Sequence, residues 1–600
     1  MKKFQLIVLA NLILLFMNAT PGSAAAPAKI SYTVTFPEAQ AHYAEIEMTV
    51  SGLAQPSLEL KMPVWTPGSY LVREFAKNIE SLTATANGKA VAAPKLNKNT
   101  WKINTIGVNS VTVKYKLYAF ELSVRTSFID ASHAFLSTSG VFLWPKGMLN
   151  SPSTIKIVPY KDWNKVSTSL EKVGGDTFTL TAPNFDILYD SPIEVGTQDV
   201  FDFNVKGVHY EVAMYGGGNY DKERLKVDMA KIIEAEAAVF GENPNKHYTF
   251  IVHNKLRNGG GLEHLSSTVL GASRDAYANE RGYRGFLGLV AHEHFHLWNV
   301  KRLRPIVLGP FDYENENYTT NLWIAEGFTA YYQNLILRHA DLTPAEGFLA
   351  DMAADINTVE NTPGTKVQPL AESSFDAWIK SYRPNENSVN TGISYYDKGA
   401  VIGMLLDLEI INSTNGKSSL DDVMKYMYNT YYKGLKRGYT DAEFKAGFEK
   451  FAGKKLDDFY AKYINGLAAI DYDKYLGYAG YKLTDDAAAS NDPTIGATIS
   501  NNGPKKIVTS VLRNSAAWVQ GINVGDEIVS IDGTPVTDAT TIMNGKKVGD
   551  QIKVTISRDG QAMIIPVALL RNPRQKNKIE ELPNTTPQQL TVRAKWLKLQ

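Results

Sequence analysis

The segment His292-Glu293-His294-Phe295-His296 sets H-E-x-x-H inside a stretch of helical periodicity, and no other feature of the chain constrains its fold so tightly. Two histidines four residues apart stand one turn apart on one face of a helix, where both imidazoles can reach a single Zn2+. Glu293, on the same turn, is the candidate general base toward water activated by that ion. His294 falls on another face. A catalytic zinc needs a third protein ligand and keeps its fourth position open. The Gly and His spacing of a metzincin is missing from Leu297-Trp298-Asn299-Val300-Lys301-Arg302. Asp312, Glu314 and Glu316 lie in a polar loop, whereas Glu326 has apolar neighbours at i−4, i−3 and i+4. A carboxylate on a buried helical face must be paired or bind a metal, because desolvating it alone is costly. Glu326 is therefore the expected third ligand beside His292 and His296.

The rest of the chain sets the context. With 600 residues, about three or four domains are expected. A net charge of +1 offers no electrostatic reason for nucleic acid or an anionic membrane as partner. There is no cysteine, so any metal is held by nitrogen and oxygen ligands, and neither disulfides nor a lipid-carrying cysteine is expected. Lys2 and Lys3, an apolar run from Phe4 to Met17 and the small residues Gly22 to Ala26 have the layout of a cleaved signal peptide over 1–25. That run is shorter than the roughly 20 residues that span a bilayer. The expectation is a periplasmic or secreted protein with no stable membrane insertion after cleavage.

Residues 29–200 show period-two alternation between Gly, Pro and Asn turns, which predicts an all-β, sandwich-like domain. Residues 201–483 read as mainly helical, with helices over 222–240, 282–300, 321–340, 396–412 and 441–451 and a strand over 246–252. A linker is expected over 484–493, a strand-rich domain over 494–572 and a polar, Pro-containing tail over 573–600. The fold class is multidomain α+β.

Several segments carry a family resemblance. Glu326-Gly327-Phe328-Thr329 looks like the third-ligand helix of gluzincin aminopeptidases. Gly259-Gly260-Gly261-Leu262-Glu263-His264 resembles their Gly-x-Met-Glu-Asn strand, with His264 replacing Asn, and Tyr395-Tyr396-Asp397-Lys398-Gly399 resembles their Tyr-Glu-Lys-Gly segment. The long gap from His296 to Glu326 and the stretch from Trp65 to Glu74 fit the glycyl aminopeptidase family. That family joins an N-terminal β domain, a thermolysin-like zinc peptidase domain and a PDZ domain. Ser515 to Gly533, with a Gly525-Asp526 turn and an Asp532-Gly533 hairpin signal, looks like part of such a PDZ domain.

The expected function is zinc-dependent removal of N-terminal residues from peptides. Glu293 is the base, and the resemblance implies that Tyr396 donates to the developing oxyanion, with Tyr395 as second candidate. Glu263 pairs with the free α-ammonium, and Gly260 and Gly261 let backbone and substrate approach closely. A preference for Gly or Ala rests on the resemblance alone. Lys301, Arg302 and Arg304 read as helix-end cations, and the resemblance brings Tyr70 and Arg73 to the cleft border. Partners are peptides with a free N-terminus and a peptide or C-terminal ligand at the PDZ domain. Two alternatives stay open: a zinc endopeptidase of the same fold, and an inactive secreted peptide-binding protein.

Overall fold

The computed structural model describes residues 28–599; the expected leader over 1–25 lies outside them. The first domain is built from three sheets. An eight-stranded sheet places Lys29–Thr35 between Tyr43–Ser51, its antiparallel partner, and Ser153–Val158, its parallel one. Along Tyr43–Ser51 and Ser110–Tyr118 every second side chain is buried, as period-two alternation demands of a sheet with one wet face. A five-stranded sheet and a four-stranded sheet complete the sandwich around Tyr32, Trp101, Phe142 and Trp144.

The second domain opens with a five-stranded sheet ordered Asp199–Val205, Val208–Tyr215, His247–Lys255, Ser267–Ser273 and Gly261–Glu263. The last of these is an edge strand, antiparallel to Ser267–Ser273. Helices follow: α1 (Lys222–Phe240), α2 (Glu280–Phe295), α3 (Phe328–His339), α4 (Ala345–Glu360) and α5 (Asp397–Ser413). Asp221 caps α1 with bonds from the Glu223 and Arg224 amides, and Asn279 caps α2 with one from Gly282. The helix expected to reach Val300 stops at Phe295, with His296 as its C-cap. The chain then turns sharply, and Val300 takes a positive φ of 135°, a strained conformation for a β-branched residue.

The third module carries a four-stranded sheet, two two-stranded sheets and the short helix Ala516–Gln520 around its own small core. It docks on the second domain through buried Asn390, which donates to Val511 O at 2.8 Å and accepts from the Arg513 amide at 2.7 Å.

The stretch expected to be a polar tail is structured. Asn577–Glu581 pairs with Tyr481–Asp485, so the start of the expected linker is strand as well. α6 (Pro587–Leu597) has a Thr586–Gln589 capping box and buries Val592, Trp596 and Leu597 in the core of the second domain. Polar neighbours and Pro583 and Pro587 mask an apolar stripe only one helical turn long. Trp596 Nε1 donates to Tyr331 at 2.9 Å, and Tyr331 donates to Asp407 at 2.6 Å.

First and second domains meet through buried polar groups. Asp190 accepts from Lys301 at 2.7 Å, from His264 at 3.0 Å and from the Leu265 amide at 2.8 Å. Glu194 accepts from His133 at 2.7 Å and from His253, across the junction, at 2.9 Å. Burial pushes the Glu194 carboxyl up, but the two imidazoles outweigh it and hold the group below its ordinary value.

Two outcomes follow from this packing. Trp596→Ala should cost the second domain about 3–5 kcal/mol and lower its melting temperature in calorimetry by several degrees. Glu194→Gln should cost about 3 kcal/mol at pH 7, because the amide removes the buried charge and keeps an acceptor for only one of the two imidazoles. A depressed carboxyl stabilises above its unfolded pKa, so the difference from wild type should shrink as the pH falls below about 4.

Candidate active site

α2 delivers His292 and Glu293 and its cap delivers His296, all buried. Glu326 arrives on a single π-helical turn, Trp323–Gly327, that runs into α3. Such a turn holds one residue more than an α turn and re-aims the side chain it carries. Its Oε2 lies 3.6 Å from His292 Nε2 and 3.3 Å from His296 Nε2. The two imidazoles stand nearly perpendicular, with ring centres 4.8 Å apart.

These three groups fit a zinc ion. His296 Nδ1 donates to Asn299 O at 2.7 Å, which leaves the Nε2 lone pair facing Glu326. Asn299 Nδ2 in turn reaches Ile324 O at 2.9 Å, Ala325 O at 3.2 Å and Thr329 Oγ1 at 3.1 Å. One residue thus ties the His296 ring to the turn that holds Glu326. Burial pushes the Glu326 carboxyl up, but His296 and His292 outweigh it and hold the group below its ordinary value, as a ligand carboxylate.

The site is also shaped by glycine. A Cβ on Gly327 would meet Gly399 Cα at 2.5 Å and Tyr395 O at 2.7 Å; one on Gly399 would meet Gly327 Cα and Trp323 O, both at 2.8 Å. The glycines of the Glu-Gly-Phe-Thr and Asp-Lys-Gly segments are therefore where the Glu326 turn and α5 touch, and they bring Tyr396 over the His292–His296–Glu326 cluster. Its half-buried ring lies 6.1 Å from that of His292, inclined by 29°, whereas the Tyr395 hydroxyl is enclosed with no partner.

Glu263 closes the far end. Donor atoms of Glu263, Glu293 and His296 lie within 4.8 Å of one another. Burial pushes the Glu293 carboxyl above its ordinary value; His296 opposes this, and Glu263 and Glu326 reinforce it. One oxygen each of Glu263 and Glu293 is enclosed with no partner. A Cβ on Gly261 would overlap the Glu293 carboxylate, so this glycine first makes room for that side chain. Gly260 has a φ of 79° and open space beside it, so backbone conformation is its requirement.

The remaining sequence candidates have other partners. His294 Nδ1 is paired with buried Glu236; burial pushes the imidazole down to about 3 and the carboxyl up, so both are neutral. Lys301 bonds Asp190, Arg302 reaches Asn245 Oδ1 at 2.5 Å and Leu297 O at 2.7 Å, and Arg304 lies over Phe311. In the buried cluster His133–Glu194–His253 each carboxylate oxygen is taken by one imidazole N–H.

Sequence reasoning missed how much of the roof the first domain supplies. A Cβ on Gly68, whose φ is 86°, would come within 2.7 Å of a Glu263 oxygen. Gly68, Tyr70, Trp65 and Pro67 line a recess with Glu263, Leu308 and Phe311. The Trp-Thr-Pro-Gly-Ser-Tyr stretch was the signal for this. Arg125, which donates to Gly261 O at 3.3 Å, had none.

Residues 31–197 match the Peptidase M61 N-terminal domain, residues 285–402 the M61 glycyl aminopeptidase family, and residues 493–569 the PDZ domain. Among solved structures, an aminopeptidase N family protein from Idiomarina loihiensis aligns with a TM-score of 0.88 at 28% identity, over 95% of this chain and 100% of that one. An M1 zinc metallopeptidase from Deinococcus radiodurans aligns with a TM-score of 0.44 at 14% identity, over 71% of this chain and 90% of that one. No curated protein matches the chain.

The roof contact is testable. Gly68→Ala should force a left-handed backbone on alanine and displace Glu263. Steady-state kinetics on free-amine peptides should show KM raised about tenfold or more, with a melting temperature lowered by only a few degrees.

Proposed function

We propose that this member of the M61 glycyl aminopeptidase family is a zinc-dependent, gluzincin-type aminopeptidase that releases small N-terminal residues, Gly or Ala, from peptides. The observation that carries this reading is Glu263, an enclosed carboxylate at the end of an edge strand and within 4.8 Å of the donor atoms of Glu293 and His296.

His292, His296 and Glu326 would hold the ion, which when bound activates a water and polarises the substrate carbonyl. The peptide lies along the free edge of Gly261–Glu263, where backbone hydrogen bonds set its register. Glu263 pairs with the α-ammonium and leaves the first peptide bond at the metal ligands. Glu293 takes the proton of the attacking water on its carboxylate and passes it to the leaving nitrogen. Tyr396 donates its phenol proton to the carbonyl oxygen as charge develops there, a contribution of about 3 kcal/mol. The recess beside Glu263, walled by Trp65, Pro67, Gly68 and Phe311, supports a small first side chain. The lysine-led apolar N-terminus supports export to the periplasm or the medium.

Purified protein should cleave Gly- and Ala-p-nitroanilide but not their N-acetyl forms. Chelation or Glu293→Gln should abolish cleavage. Glu263→Gln should raise KM at least about tenfold, since it removes a buried charge partner of the ammonium. Faster turnover of N-acetyl peptides than of free-amine ones would sink the aminopeptidase reading.

A further inference from the structure

Arg125 stands on the turn between Phe120–Ser123 and Thr126–Ile129 of the first domain. Its neighbour Val124 is buried against Leu262 and Val269, the edge strand and its partner. That contact holds the Arg125 backbone beside the substrate strand, and its Nη2 donates to Gly261 O at 3.3 Å. Its Nε is enclosed with no acceptor. Half-buried Arg73 spends Nε and Nη2 on a single hydroxyl, Ser69 Oγ, at 3.3 and 3.0 Å. Among the described residues no carboxylate lies within 4.0 Å of either guanidinium. Burial and neighbouring Arg125 push the Arg73 guanidinium below its ordinary value against the opposing pull of Glu121, so the two cations feel each other. Two guanidiniums that no carboxylate bonds, on the roof of a peptide cleft, can each take an anion from the substrate.

Their position sets which anion. At about 3.3 Å per residue, Gly261 lies roughly 7 Å along the strand from Glu263. An extended peptide covers about 3.5 Å per residue, so two to three residues reach from one carboxylate to the guanidiniums. We propose that Arg125, with Arg73, binds the C-terminal carboxylate of the substrate, and that Glu263 and Arg125 together act as a ruler for di- and tripeptides. This rests on the aminopeptidase reading for the direction of the chain.

The test compares Ala-Ala-Ala with its C-terminal amide, following released alanine, in wild type, Arg125→Gln, Arg125→Lys and Arg73→Gln. In wild type, amidation should lower kcat/KM about tenfold or more, chiefly through KM. The acid-to-amide ratio within each variant cancels any general loss. It should fall below about threefold in Arg125→Gln, fall partway in Arg73→Gln, and be partly restored in Arg125→Lys. Ala-Ala-Ala should also be preferred over Ala-Ala-Ala-Ala-Ala. Equal cleavage of acid and amide by wild type would overturn the proposal and leave the aminopeptidase reading standing. So would full recovery of the amide loss by Ala-Asp-Ala-amide, because the site would then read a side-chain carboxylate. Calorimetric binding of the acid and the amide to Glu293→Gln protein, with and without Arg125→Gln, poses the same question without turnover. A tenfold acid preference that disappears with Arg125 supports the anchor, and equal affinities overturn it. Absence of any alanine release would count against the aminopeptidase reading, not against the anchor.

Discussion

A carboxylate with almost no exposure to water is the constraint around which this protein is organised. Glu326 is 2% exposed, and an ionised carboxyl there is tolerable only among groups that stabilise its charge. His292 and His296 meet that demand from a neighbouring helix end, and Asn299 secures the arrangement by bonding both His296 and the Glu326 turn. The π turn and the Gly327–Gly399 contact then follow as geometry. One aims the carboxylate at the imidazoles; the other lets α5 approach closely enough for Tyr396 to cover them.

The second requirement is an enclosed cleft, and the first domain supplies it. Half-buried Asp190 and buried Glu194 are acceptors on that domain whose donors include Lys301, His264 and His253 of the second. Buried charge-assisted bonds of this kind fix orientation, because sliding the domains would strand charges in a low-dielectric junction. Gly68 can rest against Glu263, and Arg125 against Gly261, only while that orientation holds. The roof is thus part of the site rather than an appendage to a metal centre.

The C-terminal region shows the same economy from the other end of the chain. α6 returns after the PDZ module to bury Trp596 beside Tyr331, which sits on the helix that follows the Glu326 turn. The PDZ module is therefore an insertion between Tyr481–Asp485 and its partner strand Asn577–Glu581. Through Asn390 it also touches the segment that leads into Tyr395 and Tyr396.

The candidate metal-holding cluster was legible because its geometry is local. A spacing of four is meaningful on any helix, and an acidic residue among apolar neighbours reveals a demand for compensation wherever the helix packs. Strand alternation and helical periodicity carried the three-part architecture for the same reason, since burial repeats with the period of the element. His294 could be set aside from its helical face alone, but its neutral pairing with Glu236 could not be seen, because the partner lies 58 residues away in sequence. The mask over α6 was likewise local: one buried turn among polar residues is too short a signal until its receiving core is known. Arg125, Asp190 and Asn299 carry no pattern of their own. Their roles arise from distances between residues far apart in the chain, and those distances exist only once two cores have packed and their buried polar groups have found partners. The sequence by itself determined which residues can form a metal-and-carboxylate constellation and on which elements they sit. The tertiary structure decided what surrounds that chemistry, because desolvation and steric contact are properties of the packed state alone.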